Sequence, residues 1–281
     1  MCRLFGFRSV LQSRAHQSLV SAENALLRQS ERHPDGWGLA YYVHSHPHVF
    51  RSAERALGSD LFREVSGLES TTTLLAHNRK ATCGEISLLN THPFQFANWC
   101  FAHNGEVGGY SDSQPVRDAL RAEVDERFRG FIMGKTDSET CFYVFLSLLA
   151  RRVDGLHARG VEIGVVADSL RETADRVRSI GERLAGRPSL LTFLVTNGNL
   201  FVGYREGREL FFSTHKTRCP ERDTCHAFVE PMCEAEVQPG GRVNHIVLAS
   251  EQVAIAPNVW RTIPDGGVAG VDWGMRLFLT S

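Results

Sequence analysis

Short apolar segments with a period of two follow one another in this chain without a helix between each pair. "WGLAYYV", "TLLAHNR" and "WCFAHNG" read as strands in the first part. "LLTFLVTNGNLFVGYR", "ELFFSTH", "HIVLAS" and "MRLFLTS" read as strands in the last, the first of these as a hairpin around Asn197 and Gly198. Parallel neighbours need a long crossover, usually a helix, between successive strands. Strands that come in blocks therefore predict an α+β protein of antiparallel sheets with helices packed outside, and argue against a doubly wound parallel sheet.

Three stretches carry the helical period. "HQSLVSAENALLRQS" predicts a helix with Leu19, Ala22, Leu26 and Leu27 on one side. "GKTDSETCFYVFLSLLARR" begins with Thr136 and Glu139 spaced as a capping box, followed by an apolar stripe of Cys141, Val144, Phe145, Leu148 and Leu149. "ADSLRETADRVRSIGERLAGRP" is a charged amphipathic helix that stops at Gly186 and Pro188. The chain opens "MCRLFGFRSV", where Leu4, Phe5 and Phe7 are set against Arg3, Gly6 and Arg8. That pattern predicts a strand with at least one buried face, which would carry Cys2 into the body of the fold.

The 281 residues suffice for one β-rich domain or two smaller ones. The formal charge of −1 supplies no basic field for a phosphate backbone, so nucleic acid is excluded as a main partner. "FYVFLSLLA" is too short to span a bilayer, which argues against a membrane partner. Arg3 and Arg8 interrupt any secretory apolar stretch, which predicts a cytoplasmic protein. Its seven scattered cysteines are then expected to be reduced.

Five residues offer chemistry. With Met1 removed, Cys2 would carry a thiol and a free α-amine, and an α-amine titrating at about 7.7–8.0 can accept the thiol proton. The bland alternative is a buried structural cysteine. Arg79, just beyond a strand in "AHNRKATCGE", suits bidentate capture of a carboxylate, or a surface salt bridge. Asn104 and Gly105 in "CFAHNGEVGG" can aim a side-chain amide and a main-chain N–H at one oxyanion, or form a plain turn. Asp137 in "TDSE" can grip an ammonium group, or merely complement a helix dipole. As a set they describe acyl transfer at the side-chain carbonyl of an amino acid, which glutamine or a γ-glutamyl compound would fit.

The ordered motifs "MCRLFGF", "HPDGWGLAYY", "HNRKAT", "NTHPF", "FAHNG" and "TDSE" resemble the class II glutamine amidotransferases of the N-terminal-nucleophile hydrolase superfamily. "HPDGWG", and more loosely "VLASEQVA" and "VWRTIP", resemble the stand-alone YafJ-like branch, which includes γ-glutamyl amidohydrolases. The resemblance implies a four-layer αββα sandwich of two antiparallel sheets. It implies one glutamine amidotransferase domain over residues 1–281, with a β-rich extension from about residue 190. By it, Cys2 is the nucleophile, Asn104 and Gly105 form the oxyanion hole, and Arg79 and Asp137 bind the substrate's α-carboxylate and α-amine. Thr82 and His92 line the pocket.

The expected activity is glutaminase or γ-glutamyl amide hydrolysis releasing glutamate, without a cofactor. Two alternatives stay open: an ammonia-donating subunit that needs a partner synthetase, and a non-enzymatic module that keeps the fold. A homo-oligomer is also open. His44, His46 and His48 read as a solvated hairpin end. The spacing of Cys219, Cys225, His226 and Cys233, with His215 nearby, is not that of a zinc ribbon, so no metal is expected there.

Overall fold

The computed structural model describes residues 2–14, 17–22, 25–68, 70–157, 160–254 and 257–281. Its strands are β1 (Arg3–Arg14), β2 (Trp37–Val43), β3 (His46–Ser52), β4 (Ser70–Asn78), β5 (Phe94–Phe96), β6 (Trp99–Glu106), β7 (Leu190–Thr196), β8 (Phe201–Tyr204), β9 (Phe211–Ser213), β10 (His245–Ala249), β11 (Arg261–Thr262), β12 (Val268–Val271) and β13 (Leu277–Thr280). The helices that matter here are α1 (Leu26–Gln29), α2 (Asp60–Leu68), α3 (Gln114–Ala122), α4 (Glu126–Arg129), α5 (Asp137–Leu149) and α6 (Ile163–Ala185). None of the described helices is long and apolar enough to cross a membrane.

Two antiparallel sheets result. One runs β11-β9-β10-β1-β4-β2-β3, the other β13-β12-β8-β7-β6-β5. Strands from beyond residue 190 take places in both. Three apolar layers hold the stack together. Leu4, Ala40 and Leu75 of the first sheet meet Ala102, Leu194 and Phe201 of the second. Phe5, Leu39 and Leu74 point the other way, onto Leu26, Leu27 and Phe62 of the α1–α2 layer. Phe101, Phe193 and Val202 meet the α3, α5 and α6 side chains. This is the expected αββα sandwich, and it explains why β1 alternates Leu4 with Phe5: both of its faces are buried.

Two helix expectations need correction. Residues 16–30 do not form one continuous helix. A helical turn over Gln17–Ser21 and the short α1 are separated by Ala25, whose ψ of 155° is extended, while residues 16, 23 and 24 of that stretch lie outside the described residues. Leu19, Ala22, Leu26 and Leu27 are nevertheless all buried against the sheet. Helix α5 has no exposed face, because all 13 of its residues are buried between the second sheet and α3, α4 and α6. Its amphipathic stripe vanishes for that reason. Thr136 caps α5 by accepting from the Glu139 N–H at 3.2 Å, but Glu139 does not complete the box. Its carboxylate accepts from the N–H groups of Met133 and Gly134 instead.

Parity brings the chemistry to one place. Leu4, Leu75, Cys100 and Ala102 face the space between the sheets. Side chains two residues away share that direction, which sends Cys2 with Leu4, His77 and Arg79 with Leu75, and Asn104 with Ala102. The register pairs Arg3 with Asn78 and so sets Cys2 beside the end of β4.

Candidate active site

Cys2 is buried where β1 begins. Its sulfur accepts from the Lys80 N–H at 3.3 Å and lies 3.5 Å from the Lys80 carbonyl. Burial pushes the thiol pKa up, against a downward pull from the Lys80 N–H and the Arg79 charge. A thiol in this setting needs a base to become a nucleophile.

Arg79 is 3% exposed. Its Nη1 donates to Glu85 O at 3.0 Å, and its Nη2 to Cys83 O and Gly84 O at 3.0 and 3.3 Å. These partners are neutral carbonyls, and burial lowers the guanidinium pKa although Cys2 and Asp137 oppose the shift. Asp137, the first residue of α5, is 2% exposed. Its Oδ2 accepts from Val107 N at 2.8 Å, and its Oδ1 from Ser138 N at 2.7 Å and the Cys83 thiol at 3.3 Å. Ser138 Oγ lies between Asp137 Oδ1 (3.1 Å) and His103 Nδ1 (2.9 Å), so its one hydrogen serves one of them. A buried cation and a buried anion thus lie within electrostatic reach of Cys2, each hydrogen-bonded by neutral groups. Buried charges are ordinarily paired.

Asn104 and Gly105 end the useful part of β6. The Asn104 side chain is buried, and its Oδ1 has no hydrogen-bond partner among the described residues. Leu191 N donates to Glu206 O, on the β8 side. Its antiparallel partner Gly105 therefore turns its own N–H away from β7, toward the edge that β5 has already left. A side chain here would force the backbone to shift, since a Cβ on Gly105 would lie 1.7 Å from Leu190 O.

Thr82 lies exposed in the turn between Arg79 and Cys83. His92 is buried, its ring 4.1 Å from His77 and 4.6 Å from Phe94 between centroids, and burial holds its pKa well below the usual histidine range. Both of its ring nitrogens are enclosed.

Sequence reasoning passed over several supporting groups. Asp35 of "HPDGWG" accepts from Ala81 N at 2.8 Å, while Arg79 N donates to Gly36 O, so this motif clasps the turn that carries Arg79 and Lys80. Asn90 donates to Glu85 O and accepts from Lys135 N, tying the 83–90 loop to the approach of α5. Cys83 touches Asp137. Asp35 and Asn90 sat within the quoted motifs; a cysteine in a turn carried no such signal. The histidine triplet divides between a turn at His44 and Ser45 and exposed positions on β3. Cys233 Sγ accepts from Asn244 Nδ2 at 3.1 Å. Among the described residues no three His, Cys, Asp or Glu side chains are placed to hold a metal ion.

The model of the class II glutamine amidotransferases matches residues 1–267. The chain belongs to that family. As a class II glutamine amidotransferase it is an enzyme of the amidohydrolase and amidotransferase kind, with the N-terminal-nucleophile fold. It is 27% identical over 299 residues to the probable glutamine amidotransferase DUG3 of Saccharomyces cerevisiae, covering 95% of this chain and 81% of that one. A shorter match, 36% over 74 residues, relates it to the gamma-glutamyl-hercynylcysteine sulfoxide hydrolase of Mycobacterium tuberculosis, with 26% of this chain and 32% of the other covered. A glutamine aminotransferase class-II domain protein from Silicibacter pomeroyi has the same fold, with a TM-score of 0.62 at 16% identity over 100% of this chain and 99% of that one.

Proposed function

We propose that this class II amidotransferase is a γ-glutamyl amide hydrolase, releasing glutamate from glutamine or a related γ-glutamyl compound. The observation that carries the reading is the pair of buried charges, Arg79 and Asp137, each hydrogen-bonded by neutral groups and both within electrostatic reach of the Cys2 thiol. An amino-acid head group supplies the two missing counter-charges. Its side-chain carbonyl then extends toward the sulfur, with Thr82 on the rim and His92 in the wall behind Arg79.

In this reading the Cys2 α-amine, freed by loss of Met1, takes the thiol proton. The sulfur attacks the γ-carbonyl carbon, and the oxyanion meets Asn104 Nδ2 and Gly105 N–H. The ammonium form of the α-amine gives its proton to the departing nitrogen. Water then cleaves the thioester, releasing glutamate and restoring the thiol. The raised thiol pKa supports the need for that base. The whole of 1–281 serves as one cytoplasmic catalytic domain, and the segment beyond 190 shapes the leaving-group side. Ser250 exchanges hydrogen bonds with the Leu4 main chain, and Glu251 pairs with Arg3 at 2.9 Å. The hydrolase named for a γ-glutamyl substrate among the relatives supports outright hydrolysis.

A second reading, ammonia donation to a partner protein, has one observation in its favour. Ile86, Leu88, Leu89, Phe131 and Met133 are exposed on the two loops that flank Asn90 and α5. Clustered exposed apolar side chains mark interaction sites. One experiment separates the two. The purified chain is offered glutamine, glutathione and other γ-glutamyl amides, and released glutamate is measured, with Cys2→Ala as control and mass spectrometry of the N-terminus. Hydrolysis predicts turnover by the chain alone, none by Cys2→Ala, and absence of Met1. Turnover only after a co-purifying protein is added favours the second reading, and full activity with Met1 retained removes the α-amine from the mechanism.

A further inference from the structure

Cys83 stands between the two charges assigned to the head group. Its thiol donates to Asp137 Oδ1 and its carbonyl accepts from Arg79 Nη2. The side chain is half-buried, and burial, reinforced by the Asp137 charge, pushes its thiol pKa up. It therefore remains a protonated donor at neutral pH.

A carboxylate offers about four lone-pair sites, and a buried one needs donors for them. In Asp137, Val107 N serves Oδ2 while Ser138 N and the Cys83 thiol serve Oδ1; His103 Nε2 donates to Leu190 O, so Nδ1 takes the Ser138 hydroxyl hydrogen. Both sites of Oδ1 are thus filled, and an ammonium that engages this oxygen brings donors of its own and must displace one of the two. The two main-chain N–H groups are fixed, one at the end of β6 and one inside α5. The thiol is the weakest donor of the set. It can leave by rotating its side chain while Arg79 keeps hold of the Cys83 carbonyl.

We infer that Cys83 is a positioning residue acting through Asp137: its S–H is a stand-in donor that satisfies the carboxylate in the empty site and yields to the substrate's α-ammonium. Sulfur suits this role. A methyl group leaves Oδ1 short of a donor, and a hydroxyl competes harder with the incoming ligand. The inference rests on Asp137 being the ammonium-binding carboxylate of the proposed function.

The test compares wild type, Cys83→Ser and Cys83→Ala, each with a γ-glutamyl amide and with the matching glutaryl amide, which lacks the α-amine. For the amine-bearing substrate, KM should rise about threefold to tenfold in Cys83→Ser and should not rise in Cys83→Ala, with smaller changes in kcat. For the glutaryl amide the three proteins should share one KM. An equal rise in KM in both variants, or an equal response of both substrates to Cys83→Ser, overturns the inference. Calorimetric binding of L-glutamate against glutarate should give the same order without turnover. Failure of the hydrolase reading alone would show as absent turnover with that order kept, whereas no L-glutamate binding to any of the three proteins overturns both.

Discussion

The imidazole rings of His77 and His92 lie 4.1 Å apart between centroids, buried and within electrostatic reach of Arg79. Neither ring makes a hydrogen bond of good geometry among the described residues. Burial is the main cause that takes His77 down to about 3, with a smaller upward pull from the His103 main chain, and His92 is lowered the same way. Both rings are neutral in the folded protein.

This sets a direction for pH. The folded pKa values lie below the value of about 6.5 of an unfolded histidine, so protonation favours the unfolded chain. The stability these rings contribute is complete above about pH 6.5 and is lost as the pH falls from there toward 3. Urea unfolding at a series of pH values should show the loss, and the His77→Leu, His92→Leu double variant should show a shallower slope. Equal slopes in the two proteins would contradict the assignment.

Arg79→Lys and Asp137→Asn should each lose about 2–5 kcal/mol in kcat/KM on the best γ-glutamyl substrate. Lysine keeps the charge but lacks the planar fork, and it cannot hold the three carbonyls of residues 83–85 as well. Wild-type kinetics in both variants would remove the two charges from head-group recognition.

Asn104→Ala should lower kcat about 100-fold to 1,000-fold and change KM much less, because an oxyanion donor acts mainly in the transition state. A change confined to KM would mean that the amide holds the ground state or only shapes the strand end.

Gly105→Ala should fail as a protein before it fails as an enzyme. The added methyl would overlap Leu190 O and crowd the His103 ring, so the β6–β7 ladder must part locally. Overpacking of this kind costs about 1–3 kcal/mol and occasionally more. A thermal melt at the wild-type temperature would show that the backbone relaxes without cost.

The strands were legible because alternation survives even where both faces are buried, as in the Leu4 and Phe5 pair. The candidate site was legible as residues but not as a circuit. Cys2, Arg79, Asn104 and Asp137 announce themselves by type and position. The Asp35 clasp and the Cys83 thiol contact are made by folding back across 46 and 54 residues, and no local pattern encodes them. Helix α5 misled for a related reason. Its polar residues Ser138, Glu139 and Ser147 spend their hydrogen bonds inside the protein, so polarity there does not mark a solvent face.

Strand β1 has β4 on one side and β10 on the other, with Leu4 bonded to Ser250 across 246 positions of sequence. On a translating ribosome those two neighbours arrive far apart in time. At about 5–20 residues per second, roughly 12–50 seconds pass between the emergence of Leu4 and that of Ser250. Through that interval β1 can pair only with β4, and its other edge stays open. A product terminated before β10 therefore keeps that edge of β1 unpaired, with the Leu4 main chain lacking its bonds to Ser250.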